Sequence, residues 1–174
     1  MYRYADVVLR KFREEDIPDK VRWLNAGDNS RYLHYGLPLT EEQTKVWFEE
    51  MKNRLAAEGL FDPAGKKPLP LLPKKIAVVT SESGAVYHDI VNVSGNRNPG
   101  VPIVLIPVPV QGAGAEIAIA EGIRMAQRIK DVDVIIVGRG GGSMEDLWCF
   151  NEEILARTIY ACTIPVISAV GHET

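Results

Sequence analysis

Four short apolar runs separated by helix-patterned stretches constrain this chain more than any other feature of it. They fall at residues 75–80, 102–110, 132–137 and 164–170. Each is short and rich in Val and Ile, so each reads as a strand. Ser81-Glu82-Ser83-Gly84 is a turn with N-cap chemistry, and a helix follows it to about Val93. Residues 95–100 read as a loop. Residues 116–130 carry Ile117, Ala120, Ile123, Ala126 and Ile129 at helical spacing, and residues 144–161 read as a third helix. Strands that alternate with helices imply right-handed parallel crossovers. The predicted fold is therefore α/β, a doubly wound, mostly parallel four-stranded sheet in the order 2-1-3-4. Pro107 and Pro109 assign the second strand to an edge.

The part ahead of this pattern differs. Residues 60–73 hold four prolines and a glycine, which neither a helix nor a central strand tolerates, so they form an extended connector. Upstream, residues 7–12 read as a strand and residues 13–25 as a helix. Thr40 with Gln43 forms a capping box that opens another helix, reaching Glu58, with Val46, Trp47, Met51 and Leu55 along one face. The expected division is an appendage at 1–59, a connector at 60–73 and an α/β core at 74–174.

Charge limits the partners. Residues 1–70 carry 12 Lys+Arg against 12 Asp+Glu, and residues 71–174 carry 8 against 11, which places the whole net charge of −3 in the second part. Sequence-independent nucleic-acid binding depends on clustered cations, so any such function must rely on a local site or on other parts. Cys149 and Cys162 lie in apolar stretches and read as buried thiols of a reducing compartment, with a disulfide as the alternative. The first ten residues lack a long apolar core, and no apolar run is long enough for a bilayer, so a cytoplasmic protein without membrane attachment is expected.

In open parallel sheets ligands bind at the carboxyl ends of the strands, where strand order reverses. Three polar turns converge there: residues 80–84, residues 138–143 and Gly171-His172-Glu173. The run Gly138-Arg139-Gly140-Gly141-Gly142-Ser143 is neither a Walker loop nor a full G-x-G-x-x-G. It has two readings. The glycines can permit close packing, or they can form a nest of backbone N–H groups for a phosphate, with Arg139 gripping its oxygens. Glu145 and Asp146 fit the first turn of a helix by its dipole alone. His172 at a strand end is either a general acid or base or a structural histidine. Asp89 is otherwise a solvent-exposed helix carboxylate, and His88 a surface residue. Zinc spacings are absent, whereas carboxylates can hold Mg²⁺ together with phosphate and water.

Those residues also carry a resemblance. From about Leu55 onward the chain resembles the catalytic core of the exodeoxyribonuclease VII large subunits. The matching segments include Glu58-Gly59-Leu60-Phe61-Asp62-Pro63, Lys66-Lys67-Pro68-Leu69-Pro70, Gly84-Ala85, Asp89-Ile90 and Pro109-Val110-Gln111-Gly112. They continue with Gly138-Arg139-Gly140-Gly141-Gly142-Ser143, Glu145-Asp146-Leu147-Trp148, Phe150-Asn151 and Gly171-His172-Glu173-Thr174. The resemblance implies hydrolysis of single-stranded DNA from its ends to short oligonucleotides, and assembly with a separate small subunit. It places the functional positions on Asp89, Arg139 and His172: Arg139 for phosphate neutralisation, His172 for proton transfer, Asp89 for positioning a water, a metal or the histidine. Ser81, Gly140, Gly141, Gly142, Ser143 and Asn151 are the expected phosphate and DNA contacts.

The resemblance also implies departures. The family runs on from His-Glu-Thr into a functional aspartate and a helical region that binds the small subunit, both expected beyond Thr174, so a truncated core is expected. The family's OB-type DNA-binding domain is replaced, and the family carries more arginine around residues 94–98. Residues 8–50 are similar to the start of GNAT-type acetyltransferases, which implies a chimera joined near residues 48–54. The acetyl-CoA signature occurs nowhere in the chain. The expected function is that of an exodeoxyribonuclease. The rival is a non-catalytic, anion-binding scaffold that forms homo-oligomers through the leader, and an acetyltransferase ranks below both.

Overall fold

The computed structural model describes residues 17–24, 40–140 and 147–170. In chain order the elements are α1 (Ile17–Leu24), α2 (Glu41–Ala57), β1 (Ile76–Thr80), α3 (Ala85–Arg97), β2 (Ile103–Pro107), α4 (Ala115–Ala126), β3 (Val134–Arg139), α5 (Glu153–Ala161) and β4 (Val166–Val170). The predicted strand at 7–12 lies outside the described residues. The sheet runs β2-β1-β3-β4 with every pairing parallel, so strand order and sense match the expectation, and β2 is an edge.

Register decides which side chains share a face. Val79 stands beside Ile106 and Val137, and Ile135 beside Val166. Successive strand residues point to opposite faces. The face holding Ala77, Val79, Ile106, Ile135 and Val137 packs on Ile119, Ala120, Ile123 and Ala126 of α4 and on Leu155 of α5, forming the core. Burial stabilises by about 1.5–3 kcal/mol for each large aliphatic side chain, which is why these runs fold inward. The other face carries α3. A Cβ built on Gly138 would stand 3.1 Å from Val86 Cγ1 of that helix. None of the α3 residues is fully buried, so this face is thinly covered.

Several boundaries move. Helix α3 continues to Arg97 instead of stopping near Val93, taking in part of the expected loop. Gly95 is tolerated on its exposed side at a cost of about 1 kcal/mol, and the helix ends where Pro99 bars the preceding Asn98 from helical geometry. Strand β2 ends at Pro107, short of Val110, since Pro109 has no N–H for the ladder. Helix α4 stops at Ala126 instead of 130, and its end tightens as Arg128 N and Ile129 N bond to carbonyls three residues back at 3.0 and 3.2 Å. The single helix expected at 144–161 is, over the described residues, a 3-10 turn at Trp148–Asn151, an extended Glu152 and then α5. The turn lets Cys149 sink into the core and donate to Val110 O at 3.4 Å, a tertiary demand invisible to periodicity. Both cysteines are buried and free, and Cys162 caps α5.

The expected capping box is present, with Gln43 N donating to Thr40 Oγ1 at 3.1 Å and Thr40 N to Gln43 Oε1 at 3.0 Å. Only part of the predicted apolar stripe of α2 is covered. Met51 and Leu55 are buried, and α1 packs on this helix with Ile17 and Val21 buried, but Val46 is 52% exposed. The end of α2 is tied to α5 by ions. Arg157 donates to both oxygens of Glu58 at 2.6 and 2.9 Å and to Glu153 at 2.8 Å, and Arg54 also pairs with Glu153. The connector holds a 3-10 turn at Pro63–Gly65, and Lys67 Nζ donates to Tyr160 O at 2.6 Å. Just before β1 the Asp133 carboxylate accepts from Lys74 N at 2.9 Å, anchoring the connector to the start of β3.

Candidate active site

Chain order reverses between β1 and β3, and their carboxyl ends lie side by side. Strand β1 delivers Thr80 and then Ser81. Thr80 is buried, with no partner for its hydroxyl among the described residues. Ser81 is half-buried, and Ser81 O accepts from Gly84 N at 3.3 Å, closing the turn into α3. A Cβ on Gly84 would stand 2.6 Å from Ser81 Oγ, so a bare backbone at the N-cap makes room for that hydroxyl.

Strand β3 ends in Gly138-Arg139-Gly140, and alternation splits the three. Gly138 and Gly140 face α3: Cβ atoms there would meet Val86 at 3.1 and 3.4 Å, and Gly138 would also meet Ala169 at 3.2 Å. Close packing therefore accounts for Gly138. Arg139 points to the opposite face, that of α4. Its residue is only 8% exposed, and its Nη2 donates to Gln111 Oε1 at 2.7 Å. Cys149 lies near it. Burial, then the charge of Glu116, pushes the Cys149 thiol up to about 11, and Arg139 pulls the other way.

The remaining expected residues are placed less closely together. Asp89 and His88 are exposed on α3, with the His88 ring edge-on to Tyr87 at 5.9 Å between centroids. Asn151 is exposed at the end of the 3-10 turn. Asp89 is thus on the α3 side of the sheet and Arg139 on the α4 side. His172, Gly141, Gly142 and Ser143 lie outside the described residues, as do Glu145 and Asp146. Among the described residues no three His, Cys, Asp or Glu side chains gather as metal ligands. A surface depression runs along α2, lined among the described residues by that helix and its N-cap, including Thr40, Gln43, Val46 and Trp47. Among the described residues no helix is long and apolar enough to cross a membrane.

Gln111 is the residue that sequence reading passed over as part of a plain turn. The rule that located the other turns would have found it, since it follows the edge strand β2 at the same end of the sheet.

Comparison with known proteins bears out the family resemblance. The family model described as "Exonuclease VII, large subunit" matches residues 60–174. An exodeoxyribonuclease 7 large subunit of Thioalkalivibrio sulfidiphilus is 58% identical over 126 residues, covering 72% of this chain and 28% of that protein. One from Ruminiclostridium cellulolyticum is 60% identical over 129 residues, 74% of this chain and 32% of that protein. One from Proteus mirabilis is 56% identical over 148 residues, 85% of this chain and 32% of that protein. An alignment of that last length reaches back past the connector and takes in α2. The chain spans about a third of the length of the curated relatives it matches. With the family model covering 60–174, the chain belongs to the exonuclease VII large-subunit family.

Proposed function

We propose that this chain carries the catalytic core of an exodeoxyribonuclease that hydrolyses single-stranded DNA from its ends to short oligonucleotides, in assembly with a small subunit. The observation that carries the reading is Arg139, a nearly buried guanidinium at the carboxyl end of β3 beside the topological switch point. A buried arginine is rare unless it is paired, and Gln111 is one partner of this one. Its fork geometry suits two oxygens of a phosphodiester, and in a site of low dielectric it opposes the charge that builds as water attacks phosphorus. In this reading His172 moves the proton between the attacking water and the departing oxygen, and Asp89 positions the water or the histidine. The Ser81 hydroxyl and backbone N–H groups of Gly140, Gly141, Gly142 and Ser143 hold phosphate oxygens, while Asn151 contacts the strand. Asp89 would also be the carboxylate to hold Mg²⁺ together with phosphate and water, where the ion would offset charge on the phosphate oxygens.

The test is release of acid-soluble fragments from end-labelled single-stranded DNA, with and without an exonuclease VII small subunit. Arg139→Ala is expected to lower the rate by about 10²–10³-fold, the usual effect of removing a preorganised donor to a developing anion. Arg139→Lys restores little, since an ammonium lacks the fork. A rate unchanged in Arg139→Ala, with the fold intact by circular dichroism, refutes the assignment. One observation favours a second reading, an anion-binding scaffold: Asp89 and Arg139 occupy opposite faces of the sheet. Oligonucleotide binding without turnover, in the presence of the small subunit, identifies that case.

A further inference from the structure

We propose that Gln111 is the positioning residue for Arg139, an inference that rests on Arg139 being the phosphate-binding group. The turn after β2 is joined to both flanks of the glycine run by successive residues. Ahead of the run, Arg139 Nη2 donates to Gln111 Oε1 at 2.7 Å; behind it, Cys149 Sγ donates to Val110 O at 3.4 Å. Residues 110 and 111 therefore tie Arg139 and Cys149 to one turn. The orientation of the Gln111 amide follows from chemistry. A guanidinium only donates, so Oε1 faces it and the two Nε2 hydrogens are left for another acceptor. Gln111 is exposed, which lets that acceptor arrive from solvent.

The choice of an amide is informative. A carboxylate in the same place would hold the arginine more strongly but cancel its charge, and it would repel an incoming phosphate. A neutral acceptor fixes one edge of the guanidinium without itself neutralising the cation. Gln111 thus acts on DNA through Arg139. This separates it from a residue that merely stabilises the turn, because Gln111→Glu preserves the hydrogen bond and still damages the function.

The experiment is fluorescence anisotropy of a labelled oligothymidylate with the full chain at fixed low salt, alongside thermal melting. It uses Gln111→Ala, Gln111→Glu, Arg139→Ala and the double variant Gln111→Ala/Arg139→Ala. The expected result is binding weakened about tenfold by Gln111→Ala and at least as much by Gln111→Glu, with the melting point of Gln111→Glu kept. In the Arg139→Ala background, Gln111→Ala adds nothing, the signature of two residues acting as one unit. Arg139→Ala that binds as the parent does, or a parent that does not bind, overturns the reading of Arg139 and this inference with it. Arg139→Ala weakening binding while Gln111→Glu does not, or an equal loss from Gln111→Ala in both backgrounds, overturns the inference alone.

Discussion

Gly122 sits in the middle of α4, where ordinary helix propensity argues for replacing it. Alanine there gains about 1 kcal/mol from backbone entropy. The structure predicts the opposite sign. A Cβ at position 122 would stand 2.7 Å from Val79 Cγ1, 3.1 Å from Val108 Cγ1 and 3.6 Å from Ile106 Cγ2. Val79 is fully buried on the central strand β1 and has Ile106 and Val137 at its sides, so its stiff, branched side chain has nowhere to turn. The alternative is for α4 to lift from the sheet, which loosens Ile119, Ile123 and Ala126 as well. Overpacking of this kind costs about 1–3 kcal/mol. A close approach below 3 Å to a buried branched residue belongs in the upper part of that range, so Gly122→Ala is expected to destabilise by about 1–2 kcal/mol net. At this length that lowers the melting temperature by about 2–4 °C per kcal/mol. Gly95, on the exposed side of α3, is the matched control. Nothing lies within 4 Å of a Cβ there, so Gly95→Ala should stabilise by about 0.5–1 kcal/mol. Urea melts followed by circular dichroism read both. A Gly122→Ala chain as stable as the parent refutes the argument. A cost of Val79→Ala that does not shrink in the Gly122→Ala background does so too.

Two further predictions concern charge and thiols. Hydrogen bonds from Arg157, first among the causes, hold the carboxyls of Glu58 and Glu153 below the usual 4.5, so their contribution is fully present above that value and is lost as pH falls through the lowered folded values. Acid titration should therefore show stability falling from below about pH 5, with a shallower slope in Glu58→Gln/Glu153→Gln. The effect is small and salt-sensitive because the pairs are exposed; equal slopes in parent and variant count against the pairing. Cys149 has its thiol raised to about 11, first by burial, so its thiolate fraction at pH 8 is about one in a thousand, and the Cys162 thiol is also raised by burial. A disulfide-exchange reagent should leave both thiols unreacted in the folded chain and titrate both in guanidinium. Rapid labelling of the folded protein at pH 8 contradicts this burial.

The sheet was legible in the residues because its strands read as short continuous Val and Ile runs bounded by turn residues, and because prolines mark β2 as an edge. Helix ends were less legible. Gly95 resembles a stop signal, yet α3 passes through it, since an exposed glycine costs less than ending the helix early. The break at Glu152 is set by Cys149 reaching Val110 O, a contact between residues 39 apart in sequence. No local pattern encodes that contact. Gln111 was hidden for a similar reason: glutamine in a turn has no chemistry of its own until register shows which residue its carbonyl meets.

The same register changes what Gly138-Arg139-Gly140 means. Read as a string it suggests one phosphate cradle, with glycines and arginine serving a single ligand. In the sheet the pattern alternates: glycines 138 and 140 clear a path for Val86 and α3, and Arg139 turns to the other side toward Gln111. The spacing of Gly138 and Gly140 is therefore a demand of the helix that packs beside them, and on the proposed reading Arg139 supplies the side-chain part of the phosphate contact at this end of β3. A second consequence concerns the ligand. Arg139 lies on the α4 side of the sheet and Asp89 on the helix of the other side, so on the proposed reading a ligand that engages both must cross the carboxyl edge of the sheet. A small anion held at Arg139 remains on one side of that edge. On the proposed nuclease reading, a single-stranded polynucleotide, whose successive phosphates and flexible backbone can pass over a strand end, would meet both, whereas the scaffold reading needs only Arg139.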